Sequence, residues 1–370
     1  MILFLILIPL LITVLLAVTS CSSESEPIRI AIVTSSGNVD DESFIQNNFD
    51  GINRFIESYG NATVQIIREA TGQPELAVQY VGRVVTSFDI LVLPGFQFEG
   101  ISELVIAHPE THFIVIDTRL KEINGVNEFP NVMSILFAEQ ESGFLAGVAA
   151  ALESQTGYVA FVGGIAVPPV INFHVGFEAG VNFSNRNLGT NVTIVSLPQY
   201  AEDFGGRHIG GNYVGAFIDP ATGRMIANAL IGEGVDIIFA AAGMSGRGVF
   251  EAVKATDSAM VIGVDVDQYD DGYTDNRNVV LTSALKVMCL NVERGLYHFA
   301  HGTFEGGNYT MQAGSLSTGI VMTPNRHQMS DNTLDIVDRL FSRLVSGSLV
   351  PPDAFNYTPT NFPGLEDEGW

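Results

Sequence analysis

Two stretches, DILVLPG at residues 89–95 and DIIFAAAG at residues 236–243, decide the fold class of this chain. Each is a short apolar run that ends in glycine. Each is followed, after a helical stretch, by a second strand-like run that ends in an aspartate, Asp117 and Asp265. The separations from the first aspartate of each unit to its last are 28 and 29 residues. This internal repeat predicts two similar lobes in an α/β protein.

Further runs of the same kind predict a parallel sheet in each lobe. Short, continuous, β-branched runs between helices are typical of parallel strands covered on both faces. Such runs occupy residues 28–37, 112–117, 157–164 and 261–265. In open parallel sheets, ligands bind beyond the carboxyl ends of the strands, where the glycines and aspartates of both units fall. We therefore expect two doubly wound lobes that face each other across a cleft.

The composition and the missing motifs exclude several functions. Seventeen Lys and Arg against 41 Asp and Glu give a formal net charge of −24, and 46% hydrophobic residues provide for a large core. A surface this acidic repels phosphate backbones, so nucleic acid is not an expected partner. The sequence lacks a G-x-S-x-G elbow, a G-x-G-x-x-G loop and metal-ligand spacing around its seven histidines. We expect no cofactor, no bound metal and no catalysis.

The amino terminus predicts export. Residues 1–20 contain no charge and end in small residues before Cys21, as in a membrane-targeting segment. Val18-Thr19-Ser20-Cys21 resembles a bacterial lipobox, so we expect a signal peptide at 1–20, a tether at 21–27 and a lipid anchor on Cys21 at the extracytoplasmic face of the cell membrane. An uncleaved anchor of about 20 residues is the alternative, since no Lys or Arg precedes the apolar run. Cys289 then has no disulfide partner and is expected in the core.

The chain after the tether divides into two lobes and a tail. The tail is rich in proline and acidic residues, which is typical of an irregular exposed segment. The predicted boundaries are 28–138 with 285–305 for the first lobe, 139–284 with 306–347 for the second, and 348–370 for the irregular acidic tail.

Two phenylalanines lie outside the periodic apolar runs. Phe44 follows the acidic loop Asp40-Asp41-Glu42-Ser43, and Phe217 precedes Pro220, where a helix is expected to begin. One from each lobe can hold a flat ring between them. Core packing is the alternative for both.

Several motifs, in combination and in this order, resemble the basic membrane protein family, the nucleoside-binding lipoproteins of ABC importers. The resemblance extends from about residue 28 to 325 and implies a type I periplasmic-binding-protein fold, with two lobes joined by a three-strand hinge. It implies a receptor that captures a nucleoside, with a purine base, and delivers it to an ABC permease and its ATPase. The motifs are Asp41-Glu-Ser-Phe44, Phe137-Ala-Glu-Gln-Glu141, Phe144-Leu-Ala-Gly147, Phe161-Val-Gly-Gly164, Gly176-Phe-Glu-Ala-Gly180, Phe239-Ala-Ala-Ala-Gly243, Ile262-Gly-Val-Asp265 and Thr282-Ser-Ala-Leu-Lys286.

The resemblance assigns the stacking and ribose contacts residue by residue. Phe44 and Phe217 match positions that stack on the base. Gly243, Asp265 and Lys286 match positions that hold the ribose, a set we call the ribose clamp.

The resemblance is weaker around the edge of the base. Asp117 matches a strand-end aspartate that faces the base, and Asp41 and Ser35 complete the predicted ligand-binding set. Relatives often have Asp where this chain has Ser35, and usually Asn where it has Ile45. The resemblance therefore predicts the stacking and ribose contacts of this chain better than it predicts which base is bound.

Three other functions stay open at this stage. The same receptor fold can hold a sugar or another small polar ligand. An enzyme, such as a nucleoside hydrolase or a dehydrogenase, would need a metal cluster, a nucleophile or a cofactor loop. A transcriptional regulator would need an N-terminal helix-turn-helix and conflicts with the charge of −24. A tethered receptor can act alone, so we expect a monomer.

Overall fold

A computed structural model describes residues 26–35, 37–40, 43–204, 206–314 and 317–354. The predicted signal peptide, Cys21, Asp41 and most of the predicted tail lie outside the described residues. Within these ranges, no helix has the length and apolar character needed to cross a membrane.

Strands and helices alternate along most of the chain, as the sequence predicts. The strands are β1 (Ile28–Ser35), β2 (Ala62–Glu69), β3 (Ile90–Pro94), β4 (His112–Ile116), β5 (Val132–Phe137), β6 (Tyr158–Gly163), β7 (Thr193–Ile194), β8 (Glu202–Phe204), β9 (Arg207–Gly210), β10 (Ile237–Ala241), β11 (Met260–Asp265), β12 (Val280–Lys286), β13 (Gly307–Met311) and β14 (Thr318–Ile320). The helices are α1 (Phe44–Tyr59), α2 (Pro74–Val84), α3 (Ser102–Ala107), α4 (Glu139–Glu153), α5 (Pro168–Asn187), α6 (Pro220–Gly232), α7 (Ser245–Lys254), α8 (Met288–Ala300) and α9 (Asp331–Val345).

Two six-stranded sheets form the two lobes. The first sheet has the order β13-β5-β4-β3-β1-β2 and is parallel throughout. The second has the order β14-β12-β11-β10-β6-β7 and is parallel except for the antiparallel edge strand β14. The strand order is therefore repeated, position for position, in the two halves. The predicted α/β fold with two parallel-sheet lobes is confirmed.

Local sequence signals explain where α6 begins. Pro220 occupies the first turn, where its missing N–H is not needed. The Asp219 carboxylate caps the helix by accepting hydrogen bonds from the backbone N–H of Thr222 at 3.0 Å and from its hydroxyl at 2.7 Å. This start is the one that the sequence predicts, and it fixes the loop that carries Phe217.

Helices α4 and α5 cross with almost no side chain between their backbones. Gly143 and Gly147 on α4, and Gly176 and Gly180 on α5, each face a backbone carbonyl of the other helix. A Cβ at any of the four would lie well inside 3.0 Å of that carbonyl oxygen, closer than real Cβ atoms come. Two of the motifs that carry the family resemblance therefore encode helix packing.

The lobe boundaries differ from the predicted ones at two crossings. β12 stays in the second sheet as far as Lys286, so the chain crosses at Val287 and not at residue 285. β13 pairs with β5 in the first sheet, so residues 307–311 belong to the first lobe and not to the second. This edge strand is half-exposed and lacks a continuous apolar run, which is why its pattern gives no strand signal.

Two local predictions also need correction. The described part of the predicted exposed tail is partly buried: Leu349 is 1% and Ala354 4% exposed, although Val350 is 54% exposed. Ala354 packs against Ile171 and Val175 on α5, so the segment closes over an apolar surface of the second lobe. Cys289 is half-buried on α8 and does not lie in the core.

Candidate ligand-binding cleft

A cleft between the lobes opens at the carboxyl ends of both sheets. It contains about 800 Å³ of space free of protein atoms, including its open mouth, which is within the range of small-molecule sites. The sequence analysis predicts eight ligand-binding residues. Seven of them line this cleft: Ser35, Phe44, Asp117, Phe217, Gly243, Asp265 and Lys286. The eighth, Asp41, is outside the described residues, and contact with a ligand stays a prediction for the whole set.

Asp117 and Asp265, which end the two repeated units of the sequence, occupy equivalent backbone positions. Asp117 follows β4 with φ of 65°, and Asp265 ends β11 with φ of 66°. A left-handed conformation is uncommon for a residue with a side chain, and Asp is among the residues that tolerate it. Such strain concentrates at functional sites. The repeated fold thus delivers one carboxylate from each lobe to the same cleft.

Lys286 lies at the end of β12 with only 2% of its side chain exposed. Its ammonium group forms ion pairs with Asp117 Oδ2 and, at 2.9 Å, with Glu139 Oε1. Burial alone would lower the pKa of this lysine, but the neighbouring carboxylates of Asp117, Glu139 and Asp265 raise it above its ordinary value. Lys286 is therefore a buried, protonated donor at the junction of the lobes.

Asp117 has one oxygen left for a ligand. Its Oδ2 is engaged by Lys286, whereas Oδ1 is buried and has no hydrogen-bond partner among the described residues. Burial raises the pKa of Asp117, and the charge of Lys286 opposes the rise. An unpaired buried oxygen costs roughly 1–3 kcal/mol. A donor on a bound molecule would remove that cost.

Asp265 connects the two lobes across the cleft. The Ser43 hydroxyl, at the start of α1 in the first lobe, donates to Asp265 Oδ2 at 3.2 Å. Asp265 is 8% exposed and lines the cleft. A hydroxyl group of a ligand can replace the serine hydroxyl at this carboxylate, because it offers the same kind of donor.

The two predicted stacking residues enter the cleft from different lobes. Phe44 begins α1, and the Lys286 ammonium lies 5.3 Å from its ring centre. Phe217 lies in the loop before α6, where its ring packs against Gly164 and Gly243. A Cβ at Gly164 would overlap the Phe217 ring, so the glycine is required by this packing.

Two residues in or beside the cleft are not predicted by the sequence analysis. Glu139 pairs with the cleft residue Lys286, is 2% exposed, and has its pKa raised by burial to about 7 even though Lys286 opposes the rise. Gln97 is 4% exposed and lines the cleft after β3. Only the Phe137-to-Glu141 motif pointed toward Glu139, and nothing in the sequence singled out Gln97.

Most of the chain matches one known protein family. The model of the Bmp family, described as "ABC transporter substrate-binding protein PnrA-like", matches residues 28–197 and 208–345. The chain belongs to this family. It is accordingly a substrate-binding protein of an ABC transporter and not an enzyme, and a permease is its implied partner.

The chain is similar to individual proteins over most of their length. The chain is 29% identical over 348 residues to the "CD4+ T-cell-stimulating antigen" of Listeria monocytogenes, covering 89% of each protein. It is 26% identical to the "ABC transporter nucleoside-binding protein BmpA" of Lactococcus lactis, covering 88% of this chain and 89% of that protein. A solute-binding protein structure from Aeropyrum pernix, 24% identical, superposes with a TM-score of 0.73 over 88% of this chain and 94% of that one. The last similarity shows the fold.

The first turn of α4 ties the three crossings between the lobes together. The crossings are Ala138 between β5 and α4, Val287 between β12 and α8, and the segment between β13 and β14. Ser142 donates to the Leu285 carbonyl at 2.8 Å and accepts from the Gly319 N–H at 2.9 Å. The neighbouring Glu141 carboxylate accepts hydrogen bonds from both ends of the third crossing.

Among the described residues, the contacts of the Glu141 carboxylate in this hinge are with uncharged groups. Its Oε2 accepts from the backbone N–H of Ala313 at 2.5 Å and from the Thr318 hydroxyl at 2.9 Å. Burial raises the pKa of Glu141 to about 7, although these two hydrogen bonds oppose the rise. The hinge therefore contains a carboxyl group that titrates near neutrality.

This arrangement predicts a pH-dependent effect of Glu141→Gln. A carboxyl whose folded-state pKa is raised costs nothing below its unfolded value of 4.5, and its full cost is present above about 7. Glutamine keeps the acceptor oxygen and cannot ionise. Relative to the parent, the variant should therefore gain on the order of 1–3 kcal/mol of unfolding free energy between pH 4.5 and pH 8. Denaturant unfolding at several pH values measures this, with the exposed Glu75→Gln as control. A constant difference from pH 4.5 to 8 would contradict the prediction.

Proposed function

We propose that the protein binds a purine nucleoside in the cleft, outside the membrane, and passes it to the permease. In this proposal a lipid on Cys21 anchors the protein to the cell membrane, and the protein works as a monomer. The lipobox-like residues before Cys21 support the anchor. The Lactococcus lactis relative, named as nucleoside-binding, supports the ligand class.

One observation carries the ligand class: an aromatic slot adjoins a buried polar cluster in the same cleft. Phe44 and Phe217 come from different lobes and present rings to the lining. Asp117, Asp265 and Lys286 supply buried carboxylates and an ammonium group beside them. A nucleoside has the same division, because its base has two apolar faces and its ribose carries hydroxyl groups. Stacking of a base on an aromatic side chain is worth roughly 1–3 kcal/mol.

The ribose clamp follows from the donors and acceptors available. The Asp265 carboxylate can accept hydrogen bonds from both hydroxyls of a vicinal diol. The Lys286 ammonium has three donors, and its ion pairs with Asp117 and Glu139 engage two at most, which leaves one for a ribose oxygen. Gly243 lines the cleft beside Phe217, and because it has no side chain a sugar can approach its backbone from the cleft.

The clamp predicts discrimination against 2′-deoxynucleosides. A site built to bind a hydroxyl rejects the analogue that lacks it, because buried groups then stay unpaired at roughly 1–3 kcal/mol each. Adenosine should therefore bind at least about tenfold more tightly than 2′-deoxyadenosine. Asp265→Ala should reduce this ratio to about twofold or less, while the exposed Asp275→Ala should leave it unchanged. Titration calorimetry of both ligands on the three proteins measures the six affinities.

The outcomes separate the proposal from its alternative. Equal affinity for both sugars in the parent protein would rule out the ribose clamp. Failure to bind either compound would rule out the nucleoside, and mass spectrometry of a ligand carried through purification would then test for a sugar or another small polar molecule.

A further inference from the structure

Gln97 presents its amide to the cleft, where no described protein group bonds it. The residue is 4% exposed and lines the cleft. Within the described ranges its side chain makes no hydrogen bond, although an amide offers two donors and an acceptor. Unlike Asp117 Oδ1, its amide atoms are not fully buried, so the small exposed part of the residue opens into the cleft. A ligand in the cleft can therefore reach this amide and bond it.

The local backbone holds this amide at the cleft. Gln97 lies in a 3-10 turn, Phe96–Ile101, that follows β3 and Gly95. Gly95 has φ of 119°, and a Cβ there would overlap Gln97 Oε1. The side chain therefore folds back over Gly95, and the glycine leaves the room for it.

The neighbours of Gln97 at this sheet edge are acceptors. Strands β4, β3 and β1 are adjacent, and they deliver Asp117, Gln97 and Ser35 to the cleft in that order. Asp117 offers the unpaired Oδ1 described above. Ile45, also in the lining, presents an apolar side chain.

Ser35 is an acceptor because its proton is already committed. Its hydroxyl donates to Glu69 Oε2 at 2.7 Å. Burial opposes ionisation of Glu69, but hydrogen bonds from Thr71, Ser35 and Gly72 hold its pKa below the ordinary value. A carboxylate only accepts, so the serine proton points to it, and Ser35 can only accept from a ligand.

We propose that Gln97 recognises the edge of the purine base, pairing with ring nitrogen N1 and the substituent on C6. The inference rests on the proposed nucleoside function. Towards adenine the amide accepts from the amino group and donates to N1. When the base is hypoxanthine, the amide group rotates by half a turn, so that it donates to O6 and accepts from N1–H. Asn and Gln make paired donor and acceptor contacts of the same type with N6 and N7 of adenine in DNA. One side chain therefore accepts both 6-amino and 6-oxo purines and requires a substituent at C6.

The test compares three ligands on matched variants. Calorimetry with adenosine, inosine and purine riboside, which has no substituent on C6, gives the discrimination by this edge. In the parent protein, adenosine and inosine should bind within about fivefold of each other and at least tenfold more tightly than purine riboside. Gln97→Met has a similar shape without hydrogen-bonding groups and should bring all three within about threefold. The exposed Gln65→Met is the control.

A second variant keeps the test valid if methionine disturbs the fold. Gln97→Glu is nearly isosteric, but its carboxylate has no donor and repels N1 of adenine and O6 of hypoxanthine alike. It should weaken the binding of adenosine and of inosine by at least tenfold each, with little change in their ratio. Unchanged ligand ratios in Gln97→Met together with unchanged affinities in Gln97→Glu, or a parent protein indifferent to the C6 substituent, would overturn the assignment and leave nucleoside binding standing. Binding of none of the three by folded protein would overturn the proposed function and this assignment with it.

Discussion

Replacing Lys286 with methionine is expected to lower the free energy of unfolding by about 3–5 kcal/mol at neutral pH. The lysine is 2% exposed and faces Asp117 and Glu139, whose side chains are 8% and 2% exposed. Methionine keeps most of the volume but removes the only ammonium group that these carboxylates contact in the described structure. They must then fold either as unpaired buried charges or as protonated acids, and both states cost free energy.

The loss of unfolding free energy in Lys286→Met should become smaller as the pH falls. Without Lys286, the folded-state pKa values of Asp117 and Glu139 rise further above their unfolded values of about 4. A raised carboxyl pKa costs stability above the folded value and nothing below the unfolded value. The difference between parent and Lys286→Met should therefore be largest at pH 8 and shrink as the pH falls towards 4.

Two further proteins make the measurement specific. Lys254→Met replaces an exposed lysine and should change the unfolding free energy by less than about 0.5 kcal/mol. The double variant Lys286→Met, Glu139→Gln removes one of the stranded carboxylates and should recover part of the loss. If Lys286→Met melts like Lys254→Met at every pH, the cluster does not hold the charges as the structure indicates.

The sequence predicts those parts of the site that lie on the repeated pattern. Asp117 and Asp265 could be placed because each closes an apolar run at the same offset in its unit. Strands buried on both faces leave a continuous apolar signature, and in a parallel sheet their ends meet at one edge. The family resemblance then added Lys286, which has no repeat counterpart.

The rest depends on contacts that a single sequence does not record. Glu139 meets Lys286 only because two crossings between the lobes run side by side, and acidic residues are too abundant here for any one to stand out. The half-exposed edge strand β13 lacks an apolar run, so the sequence pattern predicts the wrong lobe for its residues. The buried start of the tail, at Leu349, was hidden by neighbouring prolines that suggest exposed chain.

Gly147→Ala is the second change with a large expected effect. The new Cβ would lie well inside 3.0 Å of the Phe177 backbone oxygen on α5, and a backbone atom cannot rotate away as a flexible side chain can. Helices α4 and α5 would have to separate along a crossing that buries Phe144 and Phe177 completely. Overpacking of this kind costs typically 1–3 kcal/mol or more. Denaturant unfolding should show that loss, although alanine is the better helix former.

A matched glycine gives the opposite sign and a double variant tests the cause. Gly82 is exposed inside α2. The nearest atoms to a Cβ placed there are Leu104 side-chain atoms at 3.6 Å, so Gly82→Ala should stabilise the protein by about 0.5–1 kcal/mol.

In Gly180→Ala, the new Cβ meets the Phe144 backbone oxygen across the same crossing as Gly147. Once the helices have moved apart for one alanine, the second has less to displace. The double variant should therefore lose clearly less than the sum of the two single losses. Additive losses would show that the two glycines are accommodated independently and that the crossing does not separate as a unit.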